Sequence, residues 1–326
     1  MTRQLQSIQV LRAVAALAVV FFHLSPTSWT LGAAGVDLFF VISGFIMGTV
    51  GLSDSPGGFM VKRILRIVPL YWAITLLMCA ASLVPGLFAN FTFDLPRLVT
   101  SLFFIPFENP QGKIWPLVVV GWTLNYEMFF YVLFALGLWL RRPILVPVLA
   151  IAALTANGWL LRPEATIPRF YTDQLLLEFA IGLLLSRAMF FKNALLGAAL
   201  AIAGVVSLLS WGLASDTPEW RIVFWGLPAA AIVAGFVAIE RAGAFPAQAL
   251  RPLEKVGDAS YSLYLTHGLV LAVVGKFVWH GSLLAILTAL VASIAVAMLS
   301  YYLFERPVGQ ILRGLITPRP RPKVAT

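Results

Sequence analysis

RAVAALAVVFFH, residues 12–23, holds two ionisable side chains, Arg12 and His23, with only apolar residues between them. A titratable group within a bilayer segment costs a few kcal/mol on insertion scales, so such groups face a protein interior or a ligand path. At 3.6 residues per turn, the eleven steps from Arg12 to His23 rotate the helix by roughly 1100° and advance it about 16 Å. The two groups therefore share one face of a helix at different depths. The run has no small-residue cleavage site at its end, and it reads as an uncleaved signal anchor.

The rest of the chain supports a membrane reading. Its 326 residues are 60% hydrophobic and 11% charged, with a mean hydropathy of +0.91. These values lie outside the range of soluble domains and indicate a polytopic, all-α membrane bundle. The net charge of +9 serves the positive-inside rule and gives no reason to invoke nucleic acid. The single cysteine, Cys79, has no partner for an intramolecular disulfide.

Apolar stretches long enough for about 30 Å of hydrocarbon predict ten crossings. They lie near 8–24, 33–52, 67–88, 119–140, 143–161, 171–190, 193–212, 222–239, 260–279 and 282–303. The stretch LVTSLFFIPF at 98–107 is short and runs into the polar ENPQGK, so it reads as re-entrant or interfacial. Ten crossings place both termini on one side together with 16 of the 23 basic residues, which makes that side cytoplasmic. One membrane domain over 1–316 is expected, followed by a basic, Pro-rich tail at 317–326 with no apolar face to order it. FERP at 304–307 reads as a helix stop, because Pro307 cannot continue the hydrogen-bond ladder.

Four clusters can carry chemistry. His23 and Asp37 flank a short connection, and a carboxylate beside an imidazole would orient it as a general base; the alternative is a histidine that only packs helices. FMVKRILRIVPLYW at 59–72 places Arg63 and Arg66 on one helix face next to Lys62. Guanidiniums there either grip phosphates bidentately or simply anchor the helix at the membrane edge. GWTLNYEMFFYVLF at 121–134 buries Glu127 among Trp122, Tyr126 and Tyr131, so the carboxylate needs a partner, such as Arg12, or a proton. Glu178 poses the same question with less context and reads as structural. DASYSLYLTHGLV at 258–270 aligns Tyr264 and His267 on one face; with Trp122 and Tyr126 they are the candidates to contact substrate. The histidines His23, His267 and His280 have no metal-ligand spacing, and no metal is expected.

In their order, these elements resemble the acyltransferase-3 family of integral membrane acyltransferases. Arg12 and His23 match its Arg, ten residues, His motif, and Arg63 with Arg66 its RxxR. WTLNYEMFFY is similar to its WSLxxExxFY element, and SYSLYLTH to its late signature. Within the family, IQVLRAVAALAVVFFH and GAAGVDLFFVISGFIM look most like exopolysaccharide O-acetyltransferases. The resemblance implies transfer of an acyl group, commonly acetyl from acetyl-CoA, to a hydroxyl of an envelope or exported glycan. It implies His23 as the catalytic residue, Arg12 as its motif partner and Arg63 with Arg66 on the donor side. Acyl-CoA would then be a donor substrate and no cofactor would be tightly bound. A transporter or flippase for a lipid-linked glycan is the alternative that the same buried charges allow.

Overall fold

The computed structural model describes residues 5–24, 30–83, 93–109, 111–188, 192–212, 220–277 and 283–316. The 317–326 tail and His280 lie outside these residues. Among the described residues the chain is helical, with one isolated bridge, Glu108 to Ile114, and no strand. In chain order the α-helices are α1 (Gln6–Leu24), α2 (Ala34–Val50), α3 (Pro56–Ser82), α4 (Leu95–Leu102), α5 (Trp122–Trp139), α6 (Leu145–Leu161) and α7 (Thr166–Tyr171). They continue as α8 (Leu176–Ala188), α9 (Ala194–Gly212), α10 (Leu227–Arg241), α11 (Ala247–Asp258), α12 (Ser260–Phe277), α13 (Leu283–Ser300) and α14 (Arg306–Ile316).

Among the described residues, six helical segments are long and apolar enough to cross a membrane: Gln6–Leu24, Thr30–Ser53, Pro56–Ser82, Val119–Trp139, Ile222–Arg241 and Leu283–Leu315. The 98–107 region contributes to α4, a helix of 8 residues. Its rise of about 12 Å falls well short of the hydrocarbon thickness.

Contact between α2 and α8 organises the bundle. A Cβ added at Gly44 would lie 2.1 Å from the Phe179 carbonyl oxygen, and one at Gly182 would lie 2.2 Å from that of Val41. Gly48 meets the Ser186 hydroxyl in the same way, at 2.0 Å. Small residues four apart on both helices thus bring the two backbones together. In lipid, where apolar burial gives no net drive between helices, such packing supplies the association energy. The register also shows that α2 and α8 run in the same direction. Phe40 stacks on Phe179 at 4.4 Å, and Phe179 on Phe130 of α5 at 4.6 Å. This stack extends the contact into the aromatic core.

The start of α1, which defines the basal end of the bundle, is held by the end of α10. The Glu240 carboxylate accepts from the Gln6 amide at 2.9 Å and the Ser7 amide at 2.8 Å. It satisfies first-turn donors that a helix cannot pair internally and places negative charge at the positive end of the helix dipole. His23 lies at the opposite, apical end.

The expected helix stop at Pro307 does not occur. Residues Tyr301–Glu305 form a π-turn, and α14 carries the helix on to Ile316. Ile222–Gly226 forms a second π-turn, two residues ahead of Pro228. In each case the carbonyl four residues before the proline lies in the π-turn. Widening that turn relieves the clash of the ring with the carbonyl and absorbs the missing N–H bond.

Gly44→Val forces two backbones apart, and overpacking of this kind costs about 1–3 kcal/mol. The detergent-purified variant should melt several degrees below wild type, whereas Gly57→Ala, which meets no neighbour within 4 Å, should not.

Candidate active site

A cavity of about 90 Å³ opens in the basal half of the bundle between α1, α2, α3, α5 and α12. Its walls carry Arg12, Arg63, Arg66, Glu127, Tyr131 and Tyr264. Four segments far apart in sequence therefore converge on one space. The helical period explains which residues face it: Arg63 and Arg66 lie three apart on α3, and Glu127 and Tyr131 four apart on α5.

The arginines share their surroundings with two carboxylates, Glu127 on the cavity wall and Glu305 within electrostatic reach of Arg12 and Arg66. Among the described residues, no ion pair joins any of these arginines to an acid. Arg12 is 8% exposed and donates to Gln9 Oε1 at 3.2 Å. The Arg63 guanidinium lies over the rings of Phe59 and Tyr131, at 5.5 and 5.8 Å, and its buried Nε has no hydrogen-bond partner. Glu127 accepts from Ser43 Oγ at 3.1 Å and from the Tyr131 hydroxyl. The partners of the carboxylate are thus hydroxyls, while Arg12 shares the cavity without an ion pair to it. Lys62 points elsewhere: its side chain is 54% exposed and pairs with Asp54.

His23 is outside this cavity, near the apical end of α1, and its partner is His267. Nδ1 of His23 lies 2.9 Å from the Val19 carbonyl oxygen and 3.4 Å from Nε2 of His267. Nδ1 of His267 lies 3.1 Å from the Leu263 carbonyl oxygen. A carbonyl only accepts, so with both rings neutral each Nδ1 carries its proton. Nε2 of His267 is then an acceptor facing the His23 Nδ1–H. This network leaves the lone pair of His23 on Nε2, the atom a general base uses. Tyr264 connects the two regions. Its ring lies 6.1 Å from that of His267, and its hydroxyl, at the cavity wall, is 3.0 Å from Thr123 Oγ1 and 3.2 Å from the Val120 carbonyl oxygen.

Asp37 does not reach His23, contrary to the expectation from the short connection. Both of its oxygens accept from Arg221, from Nε at 2.9 Å and Nη2 at 2.7 Å, and Asp37 itself is fully buried. Helix register gives the reason. A Cβ on Gly32 would lie 2.5 Å from the Ala18 carbonyl oxygen, and one on Gly35 would lie 2.4 Å from that of Ala15. The chain has already descended alongside α1 before Asp37 is reached, and Ala15 lies about 12 Å below His23 along the helix. Glu178, expected to be structural, is fully buried beside the Asp37–Arg221 pair.

Trp122 and Tyr126 also depart from expectation, because the face of α5 they occupy packs into the aromatic core. Tyr126 stacks on Phe170 at 3.9 Å, and Trp122 meets Phe40 and Tyr126 edge-on. Sequence reasoning missed Arg221 and Ser43, and it did not pair His267 with His23. An arginine at the head of an apolar run was the available signal for Arg221, but it read equally well as a charge outside the membrane.

Comparison with known proteins defines the class. A family model described as an acyltransferase domain matches residues 5–302, and the protein is an integral membrane acyltransferase. It belongs to the acyltransferase-3 family. The chain is 35% identical over 308 residues to the exopolysaccharide production protein ExoZ of Rhizobium meliloti strain 1021, spanning 89% of this chain and 94% of that protein. It is 26% identical over 371 residues to nodulation protein 10 of Rhizobium leguminosarum bv. viciae, spanning 95% of each. Over 170 residues it is 26% identical to the peptidoglycan O-acetyltransferase OatA of Listeria monocytogenes serovar 1/2a, spanning 40% of this chain and 27% of that protein. No solved structure matches.

Removing one partner of a buried ion pair leaves an uncompensated charge and costs about 3–5 kcal/mol. Asp37→Ala should therefore lower the melting temperature sharply, and the double change Asp37→Leu with Arg221→Met should recover most of the loss. A residue that oriented His23 would show the opposite pattern, with stability retained and turnover reduced.

Proposed function

We propose that this protein transfers an acetyl group from acetyl-CoA to a hydroxyl of an exopolysaccharide or related envelope glycan. The observation that carries the reading is the separation of two chemistries along α1: arginines without a direct ion pair around the basal cavity, and a histidine pair at the apical end. In this reading the donor phosphates meet Arg63 and Arg66, whose planar guanidiniums suit bidentate contact with phosphate. Arg12 adds positive charge to the same cavity. It lies about 16 Å from His23 along α1, so it serves the donor and not an oxyanion formed at the histidine. The pantetheine arm then runs past Tyr264 toward His23.

There, Nε2 of His23 takes the proton of the sugar hydroxyl while its oxygen attacks the thioester carbonyl. Collapse of the tetrahedral intermediate breaks the carbon–sulfur bond, and the departing thiolate takes the proton back from His23. His267 acts as a positioning residue, holding the His23 tautomer through Nδ1.

The topology of this reading has ten crossings in a bacterial inner membrane, with both termini and the basal end cytoplasmic. Helix directions support it. The parallel pair α2 and α8 would be crossings two and six. In α12, His267 lies beside His23 and α11 ends with Gly257 against the Gln9 carbonyl, so α12 runs parallel to α1 and would be crossing nine.

In proteoliposomes, free CoA should be released only when acetyl-CoA and glycan are both present. Glycan movement across the bilayer without thioester cleavage would support a flippase instead. His23→Ala should reduce kcat by about 10²–10⁴-fold, the usual contribution of a general base, with the donor KM little changed. Replacing Arg63 and Arg66 together by alanine should raise the donor KM at least tenfold, and an unchanged KM would remove phosphate binding from their role.

A further inference from the structure

A second cavity, of about 720 Å³, lies between the ends of α6 and α7 and the turn that leads into α8. It belongs to the apical end, because α8 runs parallel to α2 and the start of α2 packs beside the apical half of α1. Its lining includes Trp159, Arg162, Glu164, Arg169, Asp173 and Gln174. Its size is that of a small-molecule site, and it shares no residue with the basal cavity.

The local structure builds this space. Gly158 brings the last turn of α6 against the next connection, since a Cβ there would lie 2.4 Å from the Thr172 carbonyl oxygen. Arg162 then ends α6 in the left-handed conformation, at φ 45°, a region that non-glycine residues adopt sparingly. That turn sends Pro163 and Glu164 around the rim. On the other side, Arg169 donates to Glu108 Oε2 at 2.8 Å, and Asp173 Oδ1 accepts from the Leu175 amide at 2.9 Å. Both walls are thereby fixed by polar contacts.

Two exposed tryptophans complete the arrangement. Trp159 and Trp220 are each 56% exposed, with ring centroids 6.0 Å apart. Exposed tryptophan at a bundle end can serve only as an interfacial anchor, but such an anchor needs no cavity edged by carboxylates, guanidiniums and a carboxamide. A flat apolar ring beside these groups is suited to a sugar, whose C–H face packs on an aromatic ring while its hydroxyls both donate and accept.

We propose that this apical cavity is a glycan-binding subsite, which holds one or two sugar units of the acceptor chain while another unit reaches His23. This inference rests on the glycan-acylation reading above. It requires that acceptor recognition be separable from the donor cavity and from the histidine pair.

The test measures binding without chemistry. Oligosaccharides from chemically de-O-acetylated exopolysaccharide of the bacterium that carries the gene are titrated, without acyl-CoA, into the full-length protein in detergent. Binding is followed by calorimetry. Trp159→Ala and Glu164→Gln should each weaken it at least tenfold, with melting temperatures near wild type. Trp139→Ala, which removes a tryptophan of 69% exposure at the far end of its helix from Gly121, should bind normally. Wild-type affinity in both Trp159→Ala and Glu164→Gln, or an equal loss in Trp139→Ala, would overturn the subsite. Failure of the wild-type protein to bind the oligosaccharides would overturn it as well. Because no donor is present, a protein that binds glycan through this cavity yet never cleaves acetyl-CoA would refute the acetyl-transfer reading and leave the subsite standing.

Discussion

The backbone contact between α2 and α8 is the constraint on which the rest of the arrangement depends. With Gly44 against the Phe179 carbonyl and Gly182 against that of Val41, two helices approach as closely as peptide groups allow, and their register is set with no freedom to slide. Everything else that α2 carries is placed by that register: Asp37 level with Glu178 and Arg221, Phe40 on Phe179, and Ser43 beside Glu127. In lipid the association of helices depends on such packing and on hydrogen bonds. A shift of α2 by one turn would move about 5.4 Å of helix and separate all of these contacts together.

Buried charge is distributed in two different ways in this bundle. Asp37 and Arg221 neutralise each other in a bidentate pair, which ties the apical start of α2 to the π-turn ahead of α10. Desolvation offsets much of the attraction within such a pair. Arg12, Arg63 and Arg66 converge with no ion pair to an acid among the described residues. Glu127 shares that wall but bonds to hydroxyls, so the guanidiniums keep their donor groups for a ligand, which is the basis on which the donor is proposed for that cavity and not for the paired site.

Tyr264 and the histidines divide the interior along its length. The hydroxyl of Tyr264 is held by α5 while its ring lies beside His267, so one side chain borders both the basal cavity and the apical pair. The two π-turns serve the same end elsewhere. Each accommodates a proline inside a long helix, and one of them follows directly on Arg221, the partner of Asp37.

Much of this was legible in the sequence, and the failures share a cause. Apolar length and the cost of polar groups in lipid were sufficient to indicate an all-helical membrane bundle and to single out Arg12, His23, Arg63, Arg66 and Glu127 as residues that need a reason. Those are properties of one helix and its solvent. The partner of each residue was not legible, because it depends on the relative depth of helices far apart in the chain. His23 meets His267 and not Asp37, since α2 has descended past Val19 before Asp37 is reached; Trp122 and Tyr126 face the core, since α5 turns Glu127 and Tyr131 to the cavity. Depth and rotation are decided by packing of small residues against backbone, to which hydropathy and motif spacing are blind, and only the tertiary structure supplies them.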